Sequence, residues 1–318
     1  MAHLKLKPLD EQVIVITGAS SGIGLATAEA AAKEGAKLVL ASRSAHTLEE
    51  VVQRINSDGG EAIHVVADVA DRQQLEQVAE AAIRRFGRID TWINDAGLSI
   101  YGRLDEVRDE DSRRLFDVNF WGVVYGSLVA LPYLKREGGA LINVGSEVSD
   151  AVVPLQGMYS ASKHAVKGFT DALRVEIEEI DKAPVSITLI QPTAVDTPFP
   201  QHAKNYMDQE PKLPTPMIDP EDVAEAILKA AAKPERDVKV GSMSKLNTTV
   251  AKVAPGLGDK MSALQADRQQ YDELPRHPEG TLYKPGESGQ THGSGPAEEH
   301  EGVLEEAGSR GTGARSTK

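Results

Sequence analysis

Six short apolar runs alternate with stretches of helical spacing, and this alternation constrains the fold more than any other feature of the chain. The runs lie at residues 13–17, 37–41, 62–66, 89–93, 140–145 and 185–190. A run that is apolar throughout, rather than at every second residue, suits a strand buried on both faces of a parallel sheet. Strands alternating with helices specify an α/β doubly wound parallel sheet with right-handed crossovers. Ligands of such sheets lie beyond the carboxyl ends of the strands. Thr17-Gly18, Ser42-Arg43, Asp68-Val69 and Asn94-Asp95 fall at those ends, so four loops are expected to converge on one crevice.

The first of these loops, Gly18-Ala19-Ser20-Ser21-Gly22-Ile23-Gly24, joins a strand to a helix running to Lys33. Its glycines let the backbone approach a pyrophosphate, and the helix start offers unpaired N–H groups and the positive end of a dipole. The spacing is G-x-x-x-G-x-G rather than the commoner G-x-G-x-x-G, but a strand before and a helix after are the context such a motif requires. At the tip of the second strand, an acidic residue would bind a ribose 2′-hydroxyl and a basic one a 2′-phosphate. Ser42 is not acidic and Arg43 follows it, which favours NADP(H) over NAD(H) through a guanidinium fork.

Tyr159-Ser160-Ala161-Ser162-Lys163 opens a predicted helix in which Val166, Phe169, Leu173, Ile177 and Ile180 recur at helical spacing. Tyr159 and Lys163, four residues apart, project from one face. An unperturbed phenol titrates near 10 and is a poor base at neutral pH, whereas a neighbouring ammonium favours the phenolate. Bringing it to about 7 takes roughly 4 kcal/mol, a demand Lys163 would share with a charged cofactor. Asn119 falls within a long predicted helix over 110–136, where an amide is locally unfavourable; it reads as a core amide, a kink or a water anchor. The 140–145 strand delivers Ser146 to the same sheet edge. Residues 198–220, rich in proline and polar residues, have the length of a lid, with a disordered loop as the alternative. A helix over 220–232, opened by Asp219 as N-cap and Pro220 at N1, and a strand over 238–240 complete the domain.

With 318 residues, 40% of them hydrophobic, the chain can hold one large α/β domain and an addition to it. A net charge of −13 disfavours a nucleic-acid partner. The absence of cysteine removes disulfides, thiolate metal sites and a thiol nucleophile. Residues 1–12 are short and charged, unlike a signal peptide, and no apolar run reaches the ~18 residues that span a bilayer. A soluble, cytoplasmic protein is expected.

The ordered set of motifs resembles the short-chain dehydrogenase/reductase family, in its compact single-domain branch, over about residues 6–240. The matches are T-G-A-S-S-G-I-G at 17–24, Asp68-Val69, Asn94 with Ala96-Gly97, Asn119, Ser146, Y-S-A-S-K at 159–163, and the segment 192–197. The resemblance implies a Rossmann-type fold, a nicotinamide cofactor, and hydride transfer between a carbonyl and an alcohol. It makes Tyr159 the general acid/base, Lys163 the group that lowers its pKa and holds the nicotinamide ribose, Ser146 a hydrogen-bond partner of the substrate oxygen, and Asn119 the holder of a relay water. Gly18, Ser20, Ser21, Ile23 and Gly24 match the pyrophosphate turn, and Ser42 with Arg43 the NADP-selecting position. Asp68 and Val69 match adenine contacts, Asn94 and Gly97 the adenosine side, and Pro192, Val195 and Thr197 positions near the carboxamide. A homodimer or homotetramer built on the helices around Asn119 and Tyr159 is also implied. Two residues depart from the family pattern: Asp95 replaces an Asn, so that an ionised carboxylate cannot donate there, and Thr193 replaces a Gly.

Beyond Gly241, the residues Leu246, Val250, Val253, Leu257, Met261 and Leu264 recur at helical spacing around Pro255-Gly256. Two short amphipathic helices are expected in an extension over 241–274. Packing on the domain or on a second subunit is preferred to a membrane-surface foot using Lys245, Lys252 and Lys260, or to a partner site. Residues 275–318 are rich in Gly, Glu, Ser and Pro and are expected to form a disordered tail. Its His277, His292 and His300 are too scattered for a metal site, and no metal is expected. The functional expectation is an NADP(H)-dependent oxidoreductase interconverting a small-molecule carbonyl and alcohol, with the reductive direction favoured. A cofactor-sensing protein without turnover, and an isomerase or epimerase using transient oxidation, are the alternatives. Binding alone does not need Ser146, Tyr159, Lys163 and Asn119 together.

Overall fold

The computed structural model describes residues 4–264 and 266–294. The first half alternates as expected: β1 (Val13–Thr17), α1 (Gly22–Lys33), β2 (Lys37–Ser42), α2 (Ala45–Ser57), β3 (Glu61–Val66), α3 (Arg72–Phe86), β4 (Thr91–Asn94), the short β5 (Ile100–Tyr101), α4 (Asp109–Phe116) and α5 (Gly122–Glu137). There follow β6 (Gly139–Val144), α6 (Gly157–Arg174), β7 (Val185–Pro192), α7 (Phe199–His202), β8 (Lys204–Asn205), α8 (Pro220–Ala232), β9 (Asp237–Val240), α9 (Ser242–Val253) and α10 (Pro255–Ala263). Seven strands form one parallel sheet in the order β3-β2-β1-β4-β6-β7-β9. This is a Rossmann-type doubly wound sheet, with the order reversing between β1 and β4.

Why the strand runs are apolar throughout is visible in the packing. Ile14 and Ile16 of β1 face a core shared with Leu25 and Ala28 of α1 and Val223 and Ile227 of α8. Val15, between them, faces the opposite core with Leu75 of α3, Leu134 of α5 and Leu173 of α6. Both faces of the strand exclude water, so Val13 to Ile16 are apolar and the one polar side chain, Thr17, hydrogen-bonds to the Ile93 carbonyl at the carboxyl end. The register sets Thr17 beside Asn94, and Asn94 beside Asn143, along one carboxyl edge.

The long central helix is interrupted. Between α4 and α5, residues Asp117–Trp121 form a π-helical turn closed by the Gly122 N–H on the Asp117 carbonyl, and Asn119 sits within it. The stretch Asp109–Glu137 is long and apolar enough to cross a bilayer by length and composition, but 61% of its most apolar window is buried inside the domain. The lid segment is not a disordered loop: α7 and β8 lie within it, and β8 pairs with β5 in a two-stranded parallel sheet. Asp219 and Pro220 occupy the N-cap and N1 of α8 as expected, although the Asp219 side chain makes no capping bond.

The extension forms the two expected helices, and α9 packs on the domain. Ser244 Oγ donates to the Gln191 carbonyl at 2.8 Å, and Asn247 reaches Glu147 at 3.0 Å. Lys252 pairs with Asp150 at 3.0 Å, so one of the three lysines read as a membrane foot is committed to the domain. The expectation of disorder from residue 275 onward does not hold for residues 275–294. They lie along the carboxyl edge of the sheet, with Leu282 fully buried in the core. Their few apolar residues underestimate the order because most of their anchoring is polar and main-chain. The rest of the tail, residues 295–318, lies outside the described residues.

Candidate active site

Beyond the carboxyl ends of β1, β2, β4, β6 and β7 lies a cavity of about 230 Å³. The glycine turn forms one wall. Gly18 and Gly22 have positive φ, +76° and +53°, which glycine adopts without strain. A Cβ on Gly18 would lie 2.8 Å from the Ala96 nitrogen, and one on Gly24 would lie 2.7 Å from Asp95 Oδ2. The turn therefore presses against the loop after β4, leaving backbone rather than side chains on the cavity side. Ser20, Ser21 and Ile23 line the cavity beside Gly18.

Ser146, Tyr159 and Lys163 meet at the opposite end. Ser146 follows β6 and N-caps a short helical turn, accepting from the Val148 N–H. Tyr159 and Lys163 stand one turn apart on α6, with Lys163 Nζ 5.8 Å from the centre of the Tyr159 ring. Lys163 is buried and donates to the Val144 carbonyl at 2.8 Å, which ties α6 to the end of β6. Phe199, from α7, packs its ring 5.3 Å from that of Tyr159 and closes the cavity from the lid side. Burial raises the phenol above its ordinary pKa, a hydrogen bond from Ser146 lowers it, and the negative charges of Asp95 and Glu147 raise it. Burial lowers Lys163 to about 8, against the pull of Asp95.

Asp95 has become a working part of this electrostatic arrangement. Burial pushes it up to about 7, against the Lys163 ammonium and a hydrogen bond from the Gly24 N–H. A carboxyl whose folded pKa exceeds its unfolded value of about 3.9 stabilises the fold most at low pH, and this contribution is lost as pH rises to about 7. Asp95→Asn is therefore expected to raise the melting temperature more at pH 8 than at pH 5. The same substitution removes a charge that raises the phenol, so the pH profile of alcohol oxidation is expected to move to lower pH. Equal melting shifts at the two pH values would show that Asp95 titrates as an ordinary carboxylate.

Thr193 has an equally specific partner. Its hydroxyl donates to Glu147 Oε2 at 3.2 Å, and Asn247 of α9 donates to the same oxygen. Burial raises Glu147, and the two hydrogen bonds oppose this. The threonine methyl fits because Gly241, at φ +88°, offers no Cβ where one would lie 2.6 Å from it.

The structure brings most of the expected residues to this one cavity: Ser42, Arg43, Asp68, Val69, Gly97, Pro192, Val195 and Thr197 line it with those above. Gly24, Asn94 and Asn119 do not line it. Asn94 lies beneath, accepting from the Trp92 indole and donating to Asn143 at 2.9 Å and Ser127 at 3.2 Å. Asn119 bridges the backbone of Leu98 with both ends of its amide and also donates to Ser162 Oγ. Its side chain thus holds the loop after β4 against α6 as a fully buried, satisfied core amide within the π-helical turn. Arg43 reaches the cavity, but its guanidinium donates to the carbonyls of Thr281 at 2.5 Å and Leu282 at 3.3 Å. Asp68 is ion-paired with Arg114.

The short chain dehydrogenase family profile matches residues 12–208. The chain belongs to the short-chain dehydrogenase family. This dehydrogenase is 45% identical over 288 residues to the uncharacterized oxidoreductase YxnA of Bacillus subtilis, covering 89% of this chain and 81% of that one. A match of that extent runs beyond β9 into the extension. It is 36% identical over 238 residues to 11-beta-hydroxysteroid dehydrogenase A of Sesamum indicum, covering 71% and 67% of the two chains. Among solved structures, it is similar to a short chain dehydrogenase/reductase from Burkholderia phymatum in complex with NAD. There the TM-score is 0.72 at 28% identity, over 79% of this chain and 96% of that one. It is also similar to an alcohol dehydrogenase from Thermococcus sibiricus complexed with 5-hydroxy-NADP, with a TM-score of 0.62 at 30% identity over 72% and 94%. Sequence reasoning missed Glu147, Gln156, His202 and the stretch around Thr281 and Gly286, all of which line the dehydrogenase's cavity. The only available signal was a carboxylate directly after Ser146.

Proposed function

We propose that this oxidoreductase interconverts a small-molecule ketone or aldehyde and its alcohol with NADP(H), and that it runs in the reductive direction in cells. The observation that carries the reading is the convergence of Ser146, Tyr159 and Lys163 at one end of a cavity whose other end holds the glycine turn and Arg43. The close-packed glycines fit a dinucleotide, since a side chain at either Gly18 or Gly24 would collide with the wall behind it. When bound, the nicotinamide supplies or accepts the hydride. Ser20, Ser21 and Ile23 would face the pyrophosphate with backbone N–H groups, and Gly18, whose N–H donates to the Ala41 carbonyl at 2.8 Å, would let it approach the turn. Arg43, beside Ser42, would hold the 2′-phosphate, because a charge-assisted fork to phosphate is stronger than bonds to neutral carbonyls. Val69 and Gly97 would flank the adenosine, and Val195 and Thr197 the carboxamide.

Ser146 orients the substrate oxygen towards Tyr159, and the Tyr159 hydroxyl delivers the proton to it. Lys163 holds the nicotinamide ribose and adds positive charge beside the phenol, which restores its acidity once the cavity is filled. Asn119 keeps the loop after β4 and α6 in register, positioning the groups through which the proton is replaced. The exposed Trp121, Leu128 and Val175, beside or on the central helices, support pairing of subunits there. A cytoplasmic location is part of the same reading.

Absorbance of NADPH followed across a panel of ketones, aldehydes and alcohols tests the assignment. Turnover with at least one carbonyl class is the expected result. Binding of NADPH with no turnover across the panel would replace it with a cofactor-sensing role, and product formation with no net NADPH change with an isomerase.

A further inference from the structure

The segment before the described end of the chain follows the mouth of the cavity from one end to the other. Near Arg43 its Thr281 and Leu282 carbonyls accept from the guanidinium, and Arg114 donates to the Leu282 carbonyl at 3.1 Å. Ser44 Oγ then donates to the Gly286 carbonyl, and the Thr47 N–H and hydroxyl bind the Glu287 carboxylate at 3.0 and 2.5 Å. At the glycine turn, the Gly22 N–H donates to the Gln290 carbonyl at 2.9 Å. Beyond β7, the Gly293 N–H donates to Asp196 Oδ1 at 3.3 Å. The contacts at Arg43, Ser44, Gly22 and Asp196 fall on loops beside the residues that the proposed function assigns to the adenosine, pyrophosphate and carboxamide ends of the cofactor, and those at Thr47 and Arg114 fall on the adjoining α2 and α4.

Three features show that this path is built rather than incidental. Leu282 is fully buried and Tyr283 Oη donates to the buried Asp111 at 2.7 Å, so the segment is anchored before it crosses the cavity. Gly280 and Gly289 have φ of +53° and +60°, and a Cβ on Gly293 would lie 2.8 Å from the Thr197 carbonyl oxygen. Glycine is required where the segment turns and where it lies flat against the backbone beneath it. Thr281, Pro285 and Gly286 line the cavity itself.

We propose that residues 281–293 are a working part of the dinucleotide site, a strap fastened over bound cofactor that makes its release slow. The inference rests on the nicotinamide-cofactor reading above. The buried Leu282 side chain and the Tyr283 bond to Asp111 hold one end, whereas the stretch over the cavity is held by separate hydrogen bonds and buries little apolar surface. That stretch belongs to the low end of local stability and can lift without unfolding the domain. Cofactor enters and leaves when it lifts, and its escape is limited by that opening.

The test is displacement of NADPH by excess NADP⁺, followed by nucleotide fluorescence in stopped flow, on the full chain and on Glu287→Ala and Leu282→Ser. Glu287→Ala removes the bond to Thr47 without touching the core, and Leu282→Ser removes the buried anchor. NADPH dissociation is expected to be about tenfold faster in Leu282→Ser and severalfold faster in Glu287→Ala, with association faster as well because entry uses the same opening. Hydrogen exchange at the Gly22 and Gly293 amides is expected to slow when NADPH binds the unchanged chain. Dissociation within twofold of the unchanged chain in Glu287→Ala, while those two amides exchange faster, would overturn the strap and leave the dehydrogenase reading intact. Faster exchange at Gly22 and Gly293 on NADPH binding would also overturn it, by showing that cofactor displaces the segment. Failure of the unchanged chain to bind NADPH or NADH would overturn the cofactor reading and this inference with it.

Discussion

Tyr159→Phe is expected to lower carbonyl reduction by about 10²–10⁴-fold, the range for loss of a positioned proton donor. The substitution removes one oxygen and leaves the ring against Phe199 of the lid. The cavity should therefore keep its shape and its affinity for NADPH. The loss should fall on kcat, with NADPH dissociation constants within about twofold of the parent. A serine hydroxyl without a base beside it, such as that of Ser146, is a much weaker acid than the phenol and would not replace it. Steady-state rates and NADPH titrations on the two proteins decide the matter. Turnover unchanged in the phenylalanine variant would remove Tyr159 from the chemistry.

Arg43→Asp is expected to weaken NADPH binding by about 10²-fold, or about 2.7 kcal/mol, and NADH binding by far less. The charged fork is lost and a carboxylate is set against the 2′-phosphate, whereas a ribose 2′-hydroxyl can donate to that carboxylate. Arg43 also donates to the Thr281 and Leu282 carbonyls, bonds that it keeps when NADH is bound and gives up for the phosphate when NADPH is bound. Comparing the two dissociation constants therefore sets the phosphate contact against the weaker carbonyl contacts. An equal loss for NADPH and NADH would show that Arg43 serves the strap alone.

The alternation of strands and helices was legible because burial on both faces leaves no freedom in composition, as Ile14, Val15 and Ile16 show. Tyr159, Lys163 and Ser146 were legible because a helix turn and a strand end place them by spacing alone. What Arg43 touches was not. Its partners lie more than two hundred residues away, in a segment whose glycines and prolines are the composition of a disordered chain. That composition is also what a segment needs when it must lie flat on other backbone, and only the contacts distinguish the two. Asn119 was placed in the right element, but its amide serves the Leu98 backbone, a pairing no periodicity encodes. Asp95 could be recognised as unusual. The pull of Lys163 on it, and its own effect on the phenol, required the geometry of three loops at once.

The wide turn at Asp117–Trp121 makes the chain's length, rather than its composition, the constrained quantity there. Because the wide turn holds one residue more than an α turn, deleting one residue there would let the stretch relax into ordinary α-helix with α4 and α5 kept in their places. The Asn119 amide would then leave the Leu98 backbone, while Val129 and Leu134 would stay in the interior. A single-codon deletion in this turn would disable the site and spare the domain, whereas the same deletion in an unbroken helix would turn one half about 100° against the other.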